Sequence, residues 1–337
     1  MKRYPLLDVF RFFCACLIVM IHMGFNKDTP IAYMTVKCFS LQAVPFFFIV
    51  SGFFFSKKLE TADNPKSFII RYSMRLLVFY GLWILTQIPL FISDYVVANE
   101  GKPWFYIAFL LIRRILFAGT APFWYLLVLS ESVLIAGFFL LHKKETALYW
   151  FGGIGLLLGL IYDLNLNFFI FPVFNSAIYA VFSWSLNFLM RGVPYLAIGI
   201  FLAKTQGKQQ TNPVIPTLLY SAVCITNIVF FIFIFPDSVH LEKYMILYPI
   251  QAVTLFLIGI NVKAENIPLA ACGICRELSS SIYCLHTGVI AWILGHVIPR
   301  SNSYLVDWTV VIVVCILIYL MVKLLRITPL YRMLCLK

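Results

Sequence analysis

The chain has 337 residues, of which 62% are hydrophobic and 12% charged, with 33 Phe, 18 Tyr and 7 Trp. A water-soluble domain carries about 25% charged residues to wet its surface, so this composition excludes one and makes lipid the solvent of the outer face. The net charge of +12 is distributed in short cationic clusters between apolar runs, the pattern of loops on a membrane protein, and no nucleic-acid partner is expected.

In chain order, Lys2 and Arg3 precede an apolar run in the manner of a secretory leader. Asp8 and Arg11 interrupt that run and no small-residue cleavage site follows, so it reads as a retained first span. Crossing a hydrocarbon core takes roughly 20 mostly apolar helical residues. Ten runs qualify: 5–25, 36–56, 75–95, 122–141, 147–162, 187–203, 213–235, 244–262, 281–299 and 308–325. With the N-terminus inside, 17 of the 26 Lys and Arg fall on the inner side and 8 on the outer side or outer span ends, with Arg11 inside the first span. That asymmetry obeys the positive-inside rule.

Trp104 to Phe117, with Arg113 and Arg114 side by side, reads as a helix lying on the outer surface. Phe168 to Trp184, interrupted by Pro172, Asn175 and Ser176, reads as an interfacial or re-entrant segment. The expected architecture is all-α: one polytopic bundle over residues 1–337, about ten transmembrane helices, both termini cytoplasmic. The nine cysteines are odd in number and mostly inside apolar runs, so a disulfide framework is not expected. Cys272 and Cys275 form a C-x-x-C without a second pair, and no metal site is expected.

Charged groups cost about 2.5–3.5 kcal/mol or more at the bilayer centre, which makes each intramembrane one a functional candidate. The first span holds Asp8, Arg11 and His22. Arg11 and His22 return to within roughly 20° of one helical face and stand about 16 Å apart along the axis, so one polar line runs through the helix. The plainer alternative pairs Asp8 with Arg11, three residues on, and leaves His22 near the outer end.

These residues carry a resemblance. Arg11 and His22 inside "LLDVFRFFCACLIVMIHMG" resemble the first-helix signature of the integral-membrane acyltransferase 3 family. "VPFFFIVSGFFFS" (44–56) is similar to that family's second-helix motif, and "RYSMRLLVFYGLW" (71–83) to its basic third-helix start. "FWYLLVLSESVL" (123–134), "RGVPYLAIGIFLAK" (191–204) and "SIYCLHTGVI" (281–290) resemble its fourth span, its Arg…Pro-Tyr…Gly span and its late Ile-Tyr…His motif. The sequence departs from the usual Arg-x-x-Arg of the third helix: Arg71 and Arg75 are four apart, with Tyr72 at the expected first position.

The resemblance implies transfer of an acyl group, most often acetyl from acetyl-CoA, to a hydroxyl of an extracytoplasmic glycan, glycolipid or other cell-envelope acceptor, in the plasma membrane of a bacterium. Acyl-CoA is cytoplasmic and polyanionic, so it needs inner-face cations, and Lys66, Arg71, Arg75 and Arg11 are placed to supply them. His22, near the outer end, then meets the thioester. A neutral imidazole with an ordinary pKa near 6.5 is a competent base for a hydroxyl. Direct transfer and an acyl-histidine intermediate both remain open.

Candidates for stabilising the developing oxyanion are Arg191, Ser51, Trp124 and Tyr125; snorkelling explains Arg191 equally well. Glu131, mid-span in "LSESV", reads as a substrate-cavity residue or a partner of Arg11, with a structural role as the alternative. His286, placed near the inner end of the ninth span, reads as lining the CoA site or as a satisfied core histidine. A separate extracytoplasmic partner would complete the reaction if the chain does not act alone. The rival reading is a transporter or exporter of a small polar molecule, which calls for a more symmetric midplane site than this sequence offers.

Overall fold

The computed structural model describes residues 4–23, 39–118, 122–168, 187–205, 212–234, 247–262, 267–297 and 303–336, and every regular element among them is helical. In order these are α1 (Pro5–His22), α2 (Ala43–Glu60), α3 (Pro65–Ala98), α4 (Trp104–Arg113), α5 (Trp124–Leu141) and α6 (Glu145–Phe168). They continue as α7 (Val193–Thr205), α8 (Val214–Ile234), α9 (Tyr248–Asn261), α10 (Leu269–Trp292), α11 (Tyr304–Leu324) and α12 (Thr328–Leu334). Short π turns extend α4 (Arg114–Ala118), precede α7 (Phe188–Gly192) and follow α10 (Ile293–Val297).

Each of the ten apolar runs carries a helix, because a chain in hydrocarbon must satisfy its backbone internally. Among the described residues, five helical stretches are long and apolar enough to cross a membrane: Pro5–His22, Pro65–Gln87, Trp124–Leu141, Phe188–Thr205 and Tyr304–Leu324. The Trp104 segment is a helix with no buried residue, and Trp104, Phe105, Phe109 and Ile112 are exposed along it. Apart from Phe168, the segment read as interfacial or re-entrant lies outside the described residues.

Two helices start earlier than hydropathy places them. α3 begins at Pro65 rather than at residue 75, because Asn64 caps it: the Ser67 backbone N–H donates to Asn64 Oδ1 at 2.9 Å, with proline at the first helical position. α10 begins at Leu269 rather than at residue 281, running through Arg276 and Glu277. The charges on that added stretch are met within the fold. Arg276 Nη1 lies 4.0 Å from Asp8 Oδ2, while Glu277 Oε2 accepts from the Tyr319 hydroxyl at 2.5 Å and from Lys323 Nζ at 3.2 Å.

The chain forms two compact units, and the division falls within α2 between Val50 and Ser51. The first comprises Met1–Val50 and Thr205–Lys337. Its main pairing is α1 against α10, with α11 packed alongside. Ala15, Cys16 and Val19 of α1 and Met23 at its C-terminal cap recur at helical spacing and enclose a core with Ile282, Val289, Leu294, Val311 and Cys315. Two polar side chains of α11 tie it to the backbone of α1: the Tyr304 hydroxyl donates to Met20 O at 2.7 Å, and Trp308 Nε1 donates to Cys16 O at 2.9 Å.

The second unit is Ser51–Lys204. α3 and α5 run antiparallel, as three contacts of opposite numbering show: Ile69 against Gly137, Ser73 against Ser130, and Trp83 stacked on Phe123. The Ser73 and Ser130 hydroxyls are buried 2.6 Å apart, and Ser130 Oγ also reaches Ser73 O at 3.2 Å. Ser73→Ala is expected to destabilise the protein by about 0.5–1.5 kcal/mol, the ordinary worth of one such bond, seen as a lowered melting temperature in detergent. An unchanged melt would mean that the serine pair contributes nothing to this packing.

Small residues let the remaining helices of this unit approach closely. A Cβ on Gly155 of α6 would lie 2.2 Å from Leu189 O, and one on Gly52 of α2 would lie 2.2 Å from Leu196 O. Gly152 and Gly159 line the same side of α6, so α6 presents a glycine ridge to the π turn and to α7. Lys204 at the end of α7 pairs with Glu145 at the start of α6.

Candidate active site

α1 carries the first group of candidates. Pro5 opens the helix and Asp8 sits in its first turn, where a carboxylate suits the positive end of the helix dipole. His22 occupies the last turn, where the carbonyl end favours positive charge on the imidazole. The helix is unbroken between Arg11 and His22, which fixes their rise of about 16 Å. Arg11 Nη1 donates to Asp8 Oδ1 at 3.2 Å, both side chains being largely but not fully enclosed. Asp8 is therefore bracketed by Arg11 and Arg276, and of the two readings of Asp8 and Arg11 the structure contains the ion pair.

At the other end of α1, the rings of His22 and His286 meet with centroids 5.1 Å apart and planes inclined at 43°. His286 is wholly buried. The earlier start of α10 explains why the sequence misplaces it: His286 stands in the second half of this helix, not near its beginning. Its Nδ1 lies 3.0 Å from Ile282 O and 3.0 Å from Tyr283 O.

The other candidates belong to the second unit. Lys66, Arg71 and Arg75 all project from the exposed N-terminal part of α3. Arg71 and Arg75 are one turn apart on one face, with Lys66 about 140° from Arg71 around the axis. Cations in the opening turns of a helix oppose its dipole, and the first turn of α3 contains no acidic residue to offset them. Tyr72 is occupied otherwise: it packs edge-on to Phe55 at 5.6 Å and against Phe68 at 5.9 Å, while Phe55 stacks on Phe68. The residue that departs from the family pattern thus fastens the α2–α3 corner.

Two candidates for an oxyanion donor, Ser51 and Tyr125, come together with their hydroxyl oxygens 3.0 Å apart. Trp124 precedes Tyr125 in the first turn of α5 and is half-buried. Arg191 lies in the π turn before α7, half-buried, next to Gly192, which packs against Val128 and Ser132 of α5. Glu131 lies on that same turn of α5, half-buried between Ser130 and Ser132, both buried.

A further polar set escaped the sequence reading. Gln42 Nε2 donates to the Tyr220 hydroxyl at 2.9 Å, and Gln251 Nε2 donates to Cys224 Sγ at 3.2 Å. Gln42 Oε1, Gln251 Oε1 and Asn227 Nδ2 are buried without a hydrogen-bond partner among the described residues. The available signal was uncharged amides inside or beside apolar runs, which a search for charge passes over.

Compared with known families, residues 4–324 match the acyltransferase 3 family model, an acyltransferase domain. The chain belongs to the acyltransferase 3 family. Membership supports a multi-pass membrane acyltransferase, in agreement with the apolar helices. Among curated proteins, the chain is 26% identical to an amino-acid racemase of Enterococcus faecalis over 91% of this chain and 44% of that protein. It is 25% identical to a second amino-acid racemase of the same organism over 66% of this chain and 31% of that protein. The chain spans less than half the length of either relative. No solved structure matches it.

Proposed function

We propose that this acyltransferase 3 protein moves an acetyl group from cytoplasmic acetyl-CoA to a hydroxyl of an extracytoplasmic glycan, glycolipid or other envelope acceptor, with His22 as the general base. The observation that carries the reading is the family match across residues 4–324, within which His22 ends a continuous helix that also holds Arg11. In this reading ten helices span the bilayer of a bacterial plasma membrane with both termini inside. Arg71 and Arg75, with Lys66, attract the phosphates of the donor, and Arg11, paired with Asp8, places a guanidinium on the helix of His22. His22 takes the proton of the acceptor hydroxyl as that oxygen bonds to the thioester carbonyl carbon. The C–S bond then breaks, and the proton leaves with the thiolate as CoA thiol. Ser51, Trp124, Tyr125 and Arg191 are the candidate donors to the oxyanion, and Glu131 is the candidate contact to the acceptor. The acceptor is carbohydrate or lipid-linked, and a separate extracytoplasmic protein presents it if the chain does not act alone.

Thiol release from acetyl-CoA by the purified protein in nanodiscs tests this. Replacing Arg71 and Arg75 together by Gln is expected to raise KM for acetyl-CoA about 10-fold or more with kcat little changed, since charge-assisted contacts to phosphate are lost and solvent screens part of them. A KM unaffected by the double change removes the donor site from α3. One observation favours a second reading, transport of a small polar molecule: both relatives are named for a reaction on amino acids, and most of their length lies outside the match. Uptake of labelled amino acids into proteoliposomes, with acetyl-CoA left intact, would install that reading instead.

A further inference from the structure

His286 is wholly enclosed on the face of α10 that packs against α1, between Ile282 and Val289, both core residues. Its Nδ1 contacts two backbone carbonyl oxygens, Ile282 O and Tyr283 O, each at 3.0 Å. Carbonyl oxygens only accept, so the hydrogen of the neutral ring is on Nδ1 and the lone pair is on Nε2. Nε2 is buried and has no hydrogen-bond partner among the described residues. A buried acceptor of this kind is destabilising unless a donor reaches it.

The ring that faces it is His22, whose centroid is 5.1 Å away. Two imidazoles at that spacing reach hydrogen-bond distance when a nitrogen of each points at the other. The core residues on either side of His286 and its two backbone contacts hold its ring still, so His286 can act as a fixed acceptor. We infer that His286 is a positioning residue: a turn of the His22 ring brings its N–H onto the bare Nε2 of His286, which then holds His22 in one neutral tautomer and leaves the other nitrogen of His22 as the proton acceptor. The partner that orients a histidine decides which of its nitrogens is basic, and here that partner is a second histidine supplied by α10. The inference rests on the reading of His22 as the base, yet the tautomer it specifies is measurable without any reaction.

The test uses protein labelled with 15N-histidine in nanodiscs, where only five histidines contribute signals and His22 is assigned from the signal lost in His22→Gln. Wild-type His22 is expected to show one protonated and one bare nitrogen, well separated. His286→Asn keeps an amide to meet Ile282 O and Tyr283 O but has no atom where Nε2 stood, and is expected to average the two His22 signals. His286→Gln, whose Oε1 reaches that place, restores the separation. Acetyl transfer follows the same order: kcat falls roughly 10²-fold in His286→Asn and recovers to within about tenfold of wild type in His286→Gln, with KM for acetyl-CoA unmoved.

Averaged nitrogens on His22 in the wild type, or an unchanged separation in a folded His286→Asn, overturns the inference. The wild-type spectrum alone is decisive, so a variant that fails to fold does not rescue it. If the wild type transfers no acyl group, the proposed function falls, while the spectra still decide whether His286 sets the tautomer of His22.

Discussion

His22→Ala is expected to abolish acetyl transfer, lowering kcat by about 10²–10⁴-fold, the worth of a positioned proton acceptor, while the protein still folds and elutes as the wild type, its melting temperature lowered only by the loss of the donor facing His286, worth about 1–3 kcal/mol. The split between activity and fold follows from where the ring sits. His22 is in the last turn of α1 and half-buried, whereas the packing of that helix comes from Cys16, Val19 and Met23 and from the anchors Tyr304 to Met20 O and Trp308 to Cys16 O. None of these is touched by the substitution. The carbonyl end of α1 also favours the imidazolium that forms as the proton is taken, by about 0.3–1 kcal/mol, a contribution no other residue at this position but a basic one receives. His22→Gln keeps a polar side chain without a titratable base and is expected to be as inactive as His22→Ala. Rapid-quench labelling with radiolabelled acetyl-CoA distinguishes an acyl-histidine, which retains label on the protein, from direct transfer, which does not. Turnover in His22→Ala at the wild-type rate would leave the family match without its base and move the chemistry elsewhere in the chain.

The fold was legible where one physical rule governed it. Apolar runs in hydrocarbon must be helical, and each of the ten carries a helix among the described residues, five of these long and apolar enough to cross a membrane. Hydropathy places the starts of α3 and α10 too late because it discounts charged turns that the structure compensates. Asn64-Pro65 was a readable cap for α3, but nothing local announced that Asp8, Tyr319 and Lys323 would meet Arg276 and Glu277 at the start of α10. The late start separates His286 from His22, since a shift of the helix start shifts every depth inferred along α10. The Arg11–His22 line was visible because both residues share one helix. The His22–His286 and Ser51–Tyr125 meetings were not, because each is made by tertiary packing between separate helices. The amides Gln42, Asn227 and Gln251 carry no charge and so raise no alarm in a hydropathy reading, although burial makes them conspicuous.

Two glycines two residues apart on α6 are expected to respond to alanine with opposite sign. At Gly155 the new Cβ would stand 2.2 Å from Leu189 O, 3.3 Å from Leu189 C and 3.3 Å from Pro194 Cγ. The nearest of these is backbone and cannot swing aside, so α6 must move off the π turn and α7; overpacking of this kind costs about 1–3 kcal/mol, and more where backbone is the obstacle. At Gly153 no atom of the described residues lies within 4 Å of the new Cβ, and alanine only stiffens the helix, a gain of about 0.5–1 kcal/mol. Gly155→Ala is therefore expected to melt well below the wild type or to fail to accumulate, and Gly153→Ala to melt at or above it, both read by fluorescence-detected size exclusion after heating. The same logic reaches the candidate site through Gly52, whose Cβ would meet Leu196 O at 2.2 Å, Leu196 C at 3.0 Å and Leu196 Cα at 3.1 Å. Gly52 follows Ser51, so any displacement of α2 from α7 carries the Ser51 hydroxyl away from Tyr125. Gly52→Ala should accordingly lose transfer activity even in preparations that remain folded, whereas Gly153→Ala should keep it. Equal melting temperatures for Gly153→Ala and Gly155→Ala would show that the close approach of α6 to the π turn does not hold this unit together.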